Sequence, residues 1–397
     1  MKKLLIAGPT LLPDHRIVEA TLAVQGETIV AVTPGLDRSA DVSAAGTIVP
    51  GFIDLQINGA YGYDFTQDGG AVAHVAARLP ATGTTAFLPT IITSPLAAYP
   101  KRLHEVGVAC EGAHGARILG VHLEGPYLSP SCAGAHNPAF LRAIDKAEIE
   151  HWADPTLVRI VTLAPELAGA TTAVQILREN DILVSAGHSD ATYDQALAGF
   201  AAGIGWGTHL FNAMSPLGHR EPGLTGALLA ADVPCGLIVD GIHNHPAMVA
   251  LAYRLKGAEG ITLVTDAMEA MGMPPGAYRL ADRKVIVDAT SARLADGTLA
   301  GSILTMDAAV RNVIAFTGCS LAEAATMAST TPARLLGLAR QGRIAVGCDA
   351  DLTVLDDNLR VTQTWVGGKR VYGSAHNRLG AIEGYAAGRR AARLDDF

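Results

Sequence analysis

The amino-acid sequence predicts an α/β protein: a (β/α)8 barrel of the TIM type, with a small β-sandwich domain formed by both chain ends. Between residues 51 and 342, eight apolar strand-like runs alternate with helix-capable stretches. Residues 1–50 and 343–373 instead contain short apolar runs separated by Pro, Gly and Asp, without helical periodicity. A chain of 397 residues is long enough for both units.

The small domain is predicted from strand-like runs at the two ends of the chain. The last two runs flank Gly367-Gly368 and are typical of a hairpin. The expected strands are residues 4–7, 16–24, 29–32, 343–346, 352–355, 361–366 and 369–372. The Ala-, Arg- and Gly-rich tail, residues 374–397, fits either a surface helix or a frayed end.

The barrel is predicted from the alternation of the central segments, since strands alternating with helices indicate a parallel sheet with crossovers. The eight expected strands are residues 51–58, 84–93, 117–124, 158–164, 182–187, 205–210, 235–240 and 261–266. The expected helices include residues 71–79, 139–152, 170–180, 193–202 and 246–256. After the eighth strand, residues 277–300 predict a β-hairpin insertion, followed by helices at 305–316 and 321–338.

Composition excludes several classes of protein. Hydrophobic residues make up 49% and charged residues 17%, which is typical of a globular protein. The net charge of −8, without a Lys/Arg run, argues against a nucleic-acid partner. No apolar run reaches the length of a membrane span or a signal peptide, so we expect no membrane partner. Five scattered cysteines without a C-x-x-C pair fit a reducing compartment, and we expect a cytoplasmic protein.

Two histidines and a carboxylate lie at or just past the ends of predicted barrel strands, at the end of the barrel where active sites form. Glu124 ends the third strand, His188 follows the fifth, and His209 lies at the end of the sixth. Three protein ligands with an open position are the pattern of a hydrolytic metal site, in which Zn²⁺ activates water. The alternative is that each is a hydrogen-bonded residue at a strand end. Asp266, at the end of the eighth strand, is the candidate acid and base.

Three further residues are candidate substrate contacts. His136, in the loop after the third strand, could polarise a carbonyl group or hold a hydroxyl group. Arg220 has a planar fork suited to a phosphate or a carboxylate, although a salt bridge with Glu221 or a solvated position is equally open. His243, after the seventh strand, could likewise bind an anionic group of the substrate, or it could be a solvated or paired residue without a role in binding.

An ordered set of short motifs between about residues 50 and 340 resembles a known family. The motifs are G-F-I-D-L-Q-I-N-G from residue 51, H-L-E-G-P from 122, G-A-H-N-P from 134, G-H-S-D-A-T from 187, T-H-L-F-N-A-M from 208, V-T-D-A-M from 264 and G-T-L-A-G-S from 297. Together they resemble the N-acetylglucosamine-6-phosphate deacetylases, a family of the amidohydrolase superfamily. Each motif alone is modest, whereas the ordered set is specific.

The resemblance implies hydrolysis of the acetamide of a sugar phosphate, with Glu124, His188 and His209 as metal ligands and Asp266 as the catalytic acid and base. It also implies a homodimer in which the neighbouring subunit partly holds the phosphate. The substrate contacts that it implies are Ala135, His136, Asn212, Ala213, Arg220, His243, Leu299, Ala300 and Gly301.

The end of the first barrel strand departs from the superfamily pattern. Many amidohydrolases carry H-x-H there, whereas this chain has Gln56-Ile57-Asn58. Because amides are poor replacements for imidazole as Zn²⁺ ligands, we expect one divalent ion per subunit, with Zn²⁺ as the expected metal. Some deacetylases of this family share the Q-x-N form.

Three alternatives to this activity fit the sequence to different degrees. The galactosamine 6-phosphate epimer is not separated from the glucosamine form by these motifs. A cyclic-amide hydrolase of the dihydroorotase type would need H-x-H and a carbamylated Lys on the fourth strand, and residues 159–165 contain no Lys. A catalytically silent sugar-phosphate-binding protein finds no support, because every expected ligand is present.

Overall fold

The computed structural model describes residues 3–373, and the predicted tail at 374–397 lies outside the described residues. Strands from both chain ends form one sheet, and the central strands form a second, parallel sheet. The strands are β1 Leu4–Leu11, β2 Ile17–Gln25, β3 Thr28–Pro34, β4 Val42–Ser43, β5 Thr47–Pro50, β6 Phe52–Ile57, β7 Gly59–Ala60, β8 Tyr63–Asp64, β9 Thr84–Ile92, β10 Arg117–Ile118, β11 Val121–Glu124, β12 Val158–Leu163, β13 Leu183–Ala186, β14 Trp206–Gly207, β15 Cys235–Leu237, β16 Ile261–Leu263, β17 Gly276–Leu280, β18 Arg283–Val287, β19 Ala292–Arg293, β20 Leu352–Leu355, β21 Val361–Val366 and β22 Lys369–Tyr372.

Helices follow most of the barrel strands. None of the helices within residues 3–373 is long and apolar enough to cross a membrane. The α-helices are α1 Val72–Ala76, α2 Tyr99–Gly112, α3 Lys146–Trp152, α4 Ala170–Glu179, α5 Tyr193–Ala202, α6 Gly223–Ala230, α7 Pro246–Lys256, α8 Met306–Thr317, α9 Leu321–Ala325 and α10 Thr331–Leu335.

The chain-end strands form a mixed sheet in the order β22-β21-β20-β5-β1-β2-β3, with β4 beside β1. Ile29 of β3 and Trp365 of β21, near opposite edges, belong to the same buried hydrophobic cluster. The sheet therefore encloses a core of its own, and the prediction of a separate domain built from both chain ends is confirmed. The residue boundaries of the two domains stay a prediction.

The central sheet is a nearly closed barrel of eight parallel strands, in the order β6-β9-β11-β12-β13-β14-β15-β16. Closure occurs between the ends of the first and last strands. The backbone N–H of Asp266 donates to the carbonyl oxygen of Gln56 at 2.8 Å, and Asn58 donates to Ala267 at 2.7 Å. Each barrel strand overlaps one of the eight runs that the sequence predicts.

Several predicted elements differ in detail from the structure, and the single helix predicted at 321–338 is divided into α9 and α10. The predicted helix at 139–152 is helical in its second part, α3, because the side chain of Asp145 accepts hydrogen bonds from the first N–H groups of that helix. Residues 343–346 form no strand, since Gly342 and Gly347 turn the chain there with φ of 76° and 87°. The insertion at 277–300 has three strands, β17 to β19, rather than a simple hairpin.

Candidate metal centre and active site

The carboxyl ends of the barrel strands bring Glu124, His188 and His209 together. Oε1 of Glu124 lies 3.2 Å from Nε2 of His188 and 3.0 Å from Nε2 of His209. The two Nε2 atoms are 3.0 Å apart. All three residues are buried, and together they could hold a metal ion. We call Glu124, His188 and His209 the metal group.

The geometry and chemistry of this group fit a divalent cation. Ligands about 2.0–2.1 Å from a tetrahedral Zn²⁺ are about 3.3 Å apart, close to the separations in this group. Nδ1 of His188 lies 2.9 Å from the carbonyl oxygen of Cys132, which fixes the proton on Nδ1 and leaves the Nε2 lone pair free. Burial alone would raise the pKa of Glu124, but the adjacent imidazole rings of His188 and His209 hold it well below its ordinary value.

The backbone is unusual at the ends of these strands. His188, His209 and Asp266 have φ of 48°, 27° and 47°, a left-handed region that residues other than glycine seldom occupy. Strained backbone of this kind clusters at functional sites, where the surrounding structure holds it in place. The sequence carries no signal for it.

Asp266 faces the metal group across the end of β6. Its Oδ1 accepts from Nδ2 of Asn58 at 2.7 Å and from Nε2 of Gln56 at 3.3 Å. Burial, and then the negative charge of Glu124, raise the pKa of Asp266 to about 6. A carboxylate with this pKa can both accept and return a proton near neutral pH.

His136 packs against His188 and is buried beside the metal group. Burial, and then the neighbouring His188, lower the pKa of His136 to about 3, so its ring is neutral. Nδ1 of His136 lies 2.9 Å from Oγ1 of Thr93, and that hydroxyl also lies 3.2 Å from the carbonyl oxygen of Glu124. The hydroxyl has one hydrogen, so its choice of acceptor decides which nitrogen of His136 carries the proton.

A cavity of about 360 Å³ opens beside this group, and most of the predicted substrate contacts line it. Ala300 lies behind the wall, fully buried in a hydrophobic cluster of the insertion. His243 is oriented by Asp240, whose Oδ2 lies 2.6 Å from its Nδ1. The predicted residues that line the cavity are Glu124, Ala135, His136, His188, His209, Asn212, Ala213, His243, Asp266, Leu299 and Gly301.

Arg220, like Ala300, is a predicted site residue that does not line the cavity. Its side chain is exposed. Glu221, its expected alternative partner, instead accepts from the backbone N–H groups of Tyr193 and Gly223, at 2.8 and 3.1 Å. Among the described residues that line the cavity, none is Lys or Arg.

Sequence reasoning missed several residues of the site. In the sequence, Asn58 stands out only as a departure from H-x-H, yet in the structure it lines the cavity and contacts Asp266. Leu280 and Thr298 reach the cavity from the insertion after β16, where alternating apolar and polar residues predict strands but not their position. Ile92, at the end of β9, could have been found as a residue at a barrel-strand end.

Comparisons with known proteins agree with this geometry. The model of the amidohydrolase family matches residues 47–371. The fold and the site are therefore those of a metal-dependent hydrolase of the amidohydrolase family. An N-acetylglucosamine-6-phosphate deacetylase of Danio rerio is 43% identical over 341 residues, which cover 82% of this chain and 84% of the relative. The chain belongs to the family of N-acetylglucosamine-6-phosphate deacetylases.

Other relatives and solved structures extend the comparison. An aspartate-to-alanine mutant of the N-acetyl-D-glucosamine-6-phosphate deacetylase from Mycobacterium smegmatis, in complex with N-acetyl-D-glucosamine-6-phosphate, has a TM-score of 0.88 and 36% identity. It covers 94% of this chain and 100% of that chain. An N-acetylgalactosamine-6-phosphate deacetylase of Escherichia coli O157:H7 is 39% identical, covering 90% of this chain and 95% of the relative.

Proposed function

We propose that this protein hydrolyses the acetamide of N-acetyl-D-glucosamine 6-phosphate to acetate and D-glucosamine 6-phosphate. The observation that carries the proposal is the metal group at one wall of a cavity, with Asp266 beside it. The relatives named N-acetylglucosamine-6-phosphate deacetylase, at about 40% identity over most of the chain, support this substrate.

Glu124, His188 and His209 would hold one divalent ion, with Zn²⁺ the preferred candidate because two imidazoles and one carboxylate are a common Zn²⁺ ligand set. Such an ion supplies a Lewis acid that lowers the pKa of water to about 7 and polarises a carbonyl group. The ring nitrogens and the carboxylate oxygen already lie at suitable separations, so little rearrangement is needed to bind it.

Asp266 moves the proton. Its carboxylate takes a proton from water as the water oxygen attacks the acetyl carbon, and it returns that proton to the nitrogen as the C–N bond breaks. Negative charge develops on the acetyl oxygen, and His136 donates to it when its proton is on Nε2. That tautomer requires the hydroxyl of Thr93 to donate to Nδ1 of His136.

We also propose a homodimer in which Arg220 binds the 6-phosphate of the neighbouring subunit's substrate. The absence of Lys and Arg from the described cavity wall, and the exposed position of Arg220, support this proposal. A cytoplasmic location is proposed from the five cysteines, all of which are free in the structure.

The test is acetate release by the metal-loaded protein from N-acetylglucosamine 6-phosphate, with N-acetylgalactosamine 6-phosphate in parallel. We expect kcat/KM to be higher for N-acetylglucosamine 6-phosphate. A higher value for N-acetylgalactosamine 6-phosphate would favour the galactosamine activity instead. Asp266→Asn should lose several orders of magnitude in kcat and retain its metal, whereas Asp296→Asn, at an exposed turn, should be unaffected. Near-normal turnover by Asp266→Asn would remove Asp266 from this role.

A further inference from the structure

Two buried amides stand between the carboxylates of the site. Nε2 of Gln56 lies 3.0 Å from Oε1 of Glu124 and 3.3 Å from Oδ1 of Asp266. Nδ2 of Asn58 lies 2.7 Å from the same Oδ1 of Asp266. Both amide side chains are almost completely buried, so neither is solvated in place of these contacts.

The two carboxylates dictate how the amides are oriented. Oε1 of Gln56 and Oδ1 of Asn58 are buried without a hydrogen-bond partner among residues 3–373. Rotating either amide by half a turn would place its oxygen against a carboxylate oxygen, and two acceptors repel each other. Leaving a buried carbonyl oxygen unpaired costs stability, so this orientation persists because the N–H groups bind the carboxylates.

The hydrogen bonds distinguish the two oxygens of Asp266. Oδ1 accepts from both amides, whereas the structure shows no hydrogen-bond partner for Oδ2 among residues 3–373. A backbone hydrogen bond also joins Asp266 to Gln56, since the N–H of Asp266 donates to the carbonyl oxygen of Gln56 at 2.8 Å. The carboxylate is therefore fixed by one oxygen and free at the other.

We propose that Asn58 and Gln56 are positioning residues, which hold Oδ1 of Asp266 so that Oδ2 carries the proton in the reaction. This inference rests on the proposed deacetylase activity and deepens the role of Asp266 in it. Asn58 gives the sharper test, because its amide contacts Asp266, whereas Gln56 also contacts the metal ligand Glu124.

The experiment compares Asn58→Leu in two backgrounds, wild type and Asp266→Asn. The Leu side chain has nearly the shape of the Asn side chain but has no N–H group to donate. In the wild-type background we expect kcat to fall about 100-fold, with KM and metal content within about twofold of wild type. In the Asp266→Asn background we expect no further loss, because residues that act as one unit are not additive.

A matched control is Thr90→Val. The hydroxyl of Thr90 accepts from the backbone N–H of Ile57 at 3.1 Å, so this variant loosens the same strand end without touching Asp266. We expect Thr90→Val to keep kcat within about threefold of wild type. If Asn58→Leu does not fold by its thermal unfolding curve, Asn58→Ala removes the same donor without adding bulk, and the same pattern is expected.

Three results would overturn the inference: unchanged kcat in the Asn58 variants, an equal loss of kcat in both backgrounds, or loss of the bound metal. The last would assign Asn58 to the metal site. These failures differ from failure of the proposed function, which would appear as wild-type protein that releases no acetate from N-acetylglucosamine 6-phosphate.

Discussion

Nε2 of His188 and Nε2 of His209 lie 3.0 Å apart, and both face one oxygen of Glu124. With the proton of His188 fixed on Nδ1 by the carbonyl oxygen of Cys132, at least one lone pair points into this small space. A carboxylate and imidazole lone pairs crowded together in a buried site are held most favourably by a shared cation.

The first prediction is that metal binding stabilises the fold through Glu124. Adding Zn²⁺ to chelator-treated protein should raise Tm. An ion that binds only the folded state, at a free concentration of 100 times its Kd, contributes about 2.7 kcal/mol to the free energy of unfolding. Glu124→Gln should lose most of this increase, measured by calorimetry, whereas Glu150→Gln, at an exposed carboxylate, should keep it. An equal increase for both variants would place the ion elsewhere.

The second prediction concerns Thr93, whose hydroxyl controls the proton of His136. Thr93→Val keeps the shape and removes the hydroxyl, so kcat should fall by about 10- to 100-fold because His136 loses the partner that sets its tautomer. Thr93→Ser retains the hydroxyl and should stay close to wild type. If Val and Ser variants turn over at the same rate, the hydroxyl has no part in the reaction.

The third prediction is that a buried carboxylate anchors the insertion over the cavity. Oδ2 of Asp64 accepts from the backbone N–H of Ala281 at 2.7 Å, next to Leu280 in the cavity wall. Asp64→Ala should loosen this wall and raise KM about tenfold, with a smaller effect on kcat. Asp288→Ala, at an exposed turn of the same insertion, is the control in steady-state kinetics. Equal KM values for the two variants would contradict the prediction.

The sequence predicts that Glu124, His188 and His209 lie close together, because parallel strands end at one edge and each residue lies at or just past the end of an apolar run. It predicts much less about contacts that depend on closure of the barrel. Asn58 and Asp266 are 208 residues apart in the chain, and their contact exists only because β6 and β16 meet. The left-handed backbone of Asp266 is equally hidden, since no residue type in the motif requires it.

The fourth prediction is that the burial of Asp54 beneath the site makes the free energy of unfolding depend on pH. Burial raises the pKa of Asp54 to about 7, although Oγ1 of Thr265 donates to its Oδ2 at 2.5 Å. The unfolded chain loses this proton near pH 4 and the folded chain near pH 7. Between these values the folded state holds the extra proton, so rising pH favours unfolding by up to roughly 4 kcal/mol.

Asp54→Asn removes this titration. The contributions of the other titrating groups to the free energy of unfolding cancel when the variant is compared with wild type. The free energy of unfolding of wild type, from urea titrations with saturating metal, should therefore fall relative to that of Asp54→Asn between pH 5 and 7. Above pH 7 the difference should become constant. A difference that does not change from pH 5 to 8 would show that Asp54 does not titrate in this range.

The fifth prediction concerns Arg220, which is exposed and lies away from the cavity wall of its own chain. Arg220→Ala should raise KM for N-acetylglucosamine 6-phosphate by about 10- to 100-fold, because a charge-assisted contact with the phosphate is lost. KM for unphosphorylated N-acetylglucosamine should change much less. Equal changes for the two substrates would show that Arg220 does not bind the phosphate.

Mixed dimers of the proposed homodimer then decide which subunit supplies this arginine. Arg220→Ala and Asp266→Asn chains, mixed and allowed to exchange subunits, form a hybrid in which one active site combines an intact Asp266 with an Arg220 from the other chain. If Arg220 acts across the interface, the mixture should regain activity at low substrate concentration, above the sum of the two separate variants. If Arg220 serves its own chain, no site in the hybrid has both residues, and the mixture should show only the sum.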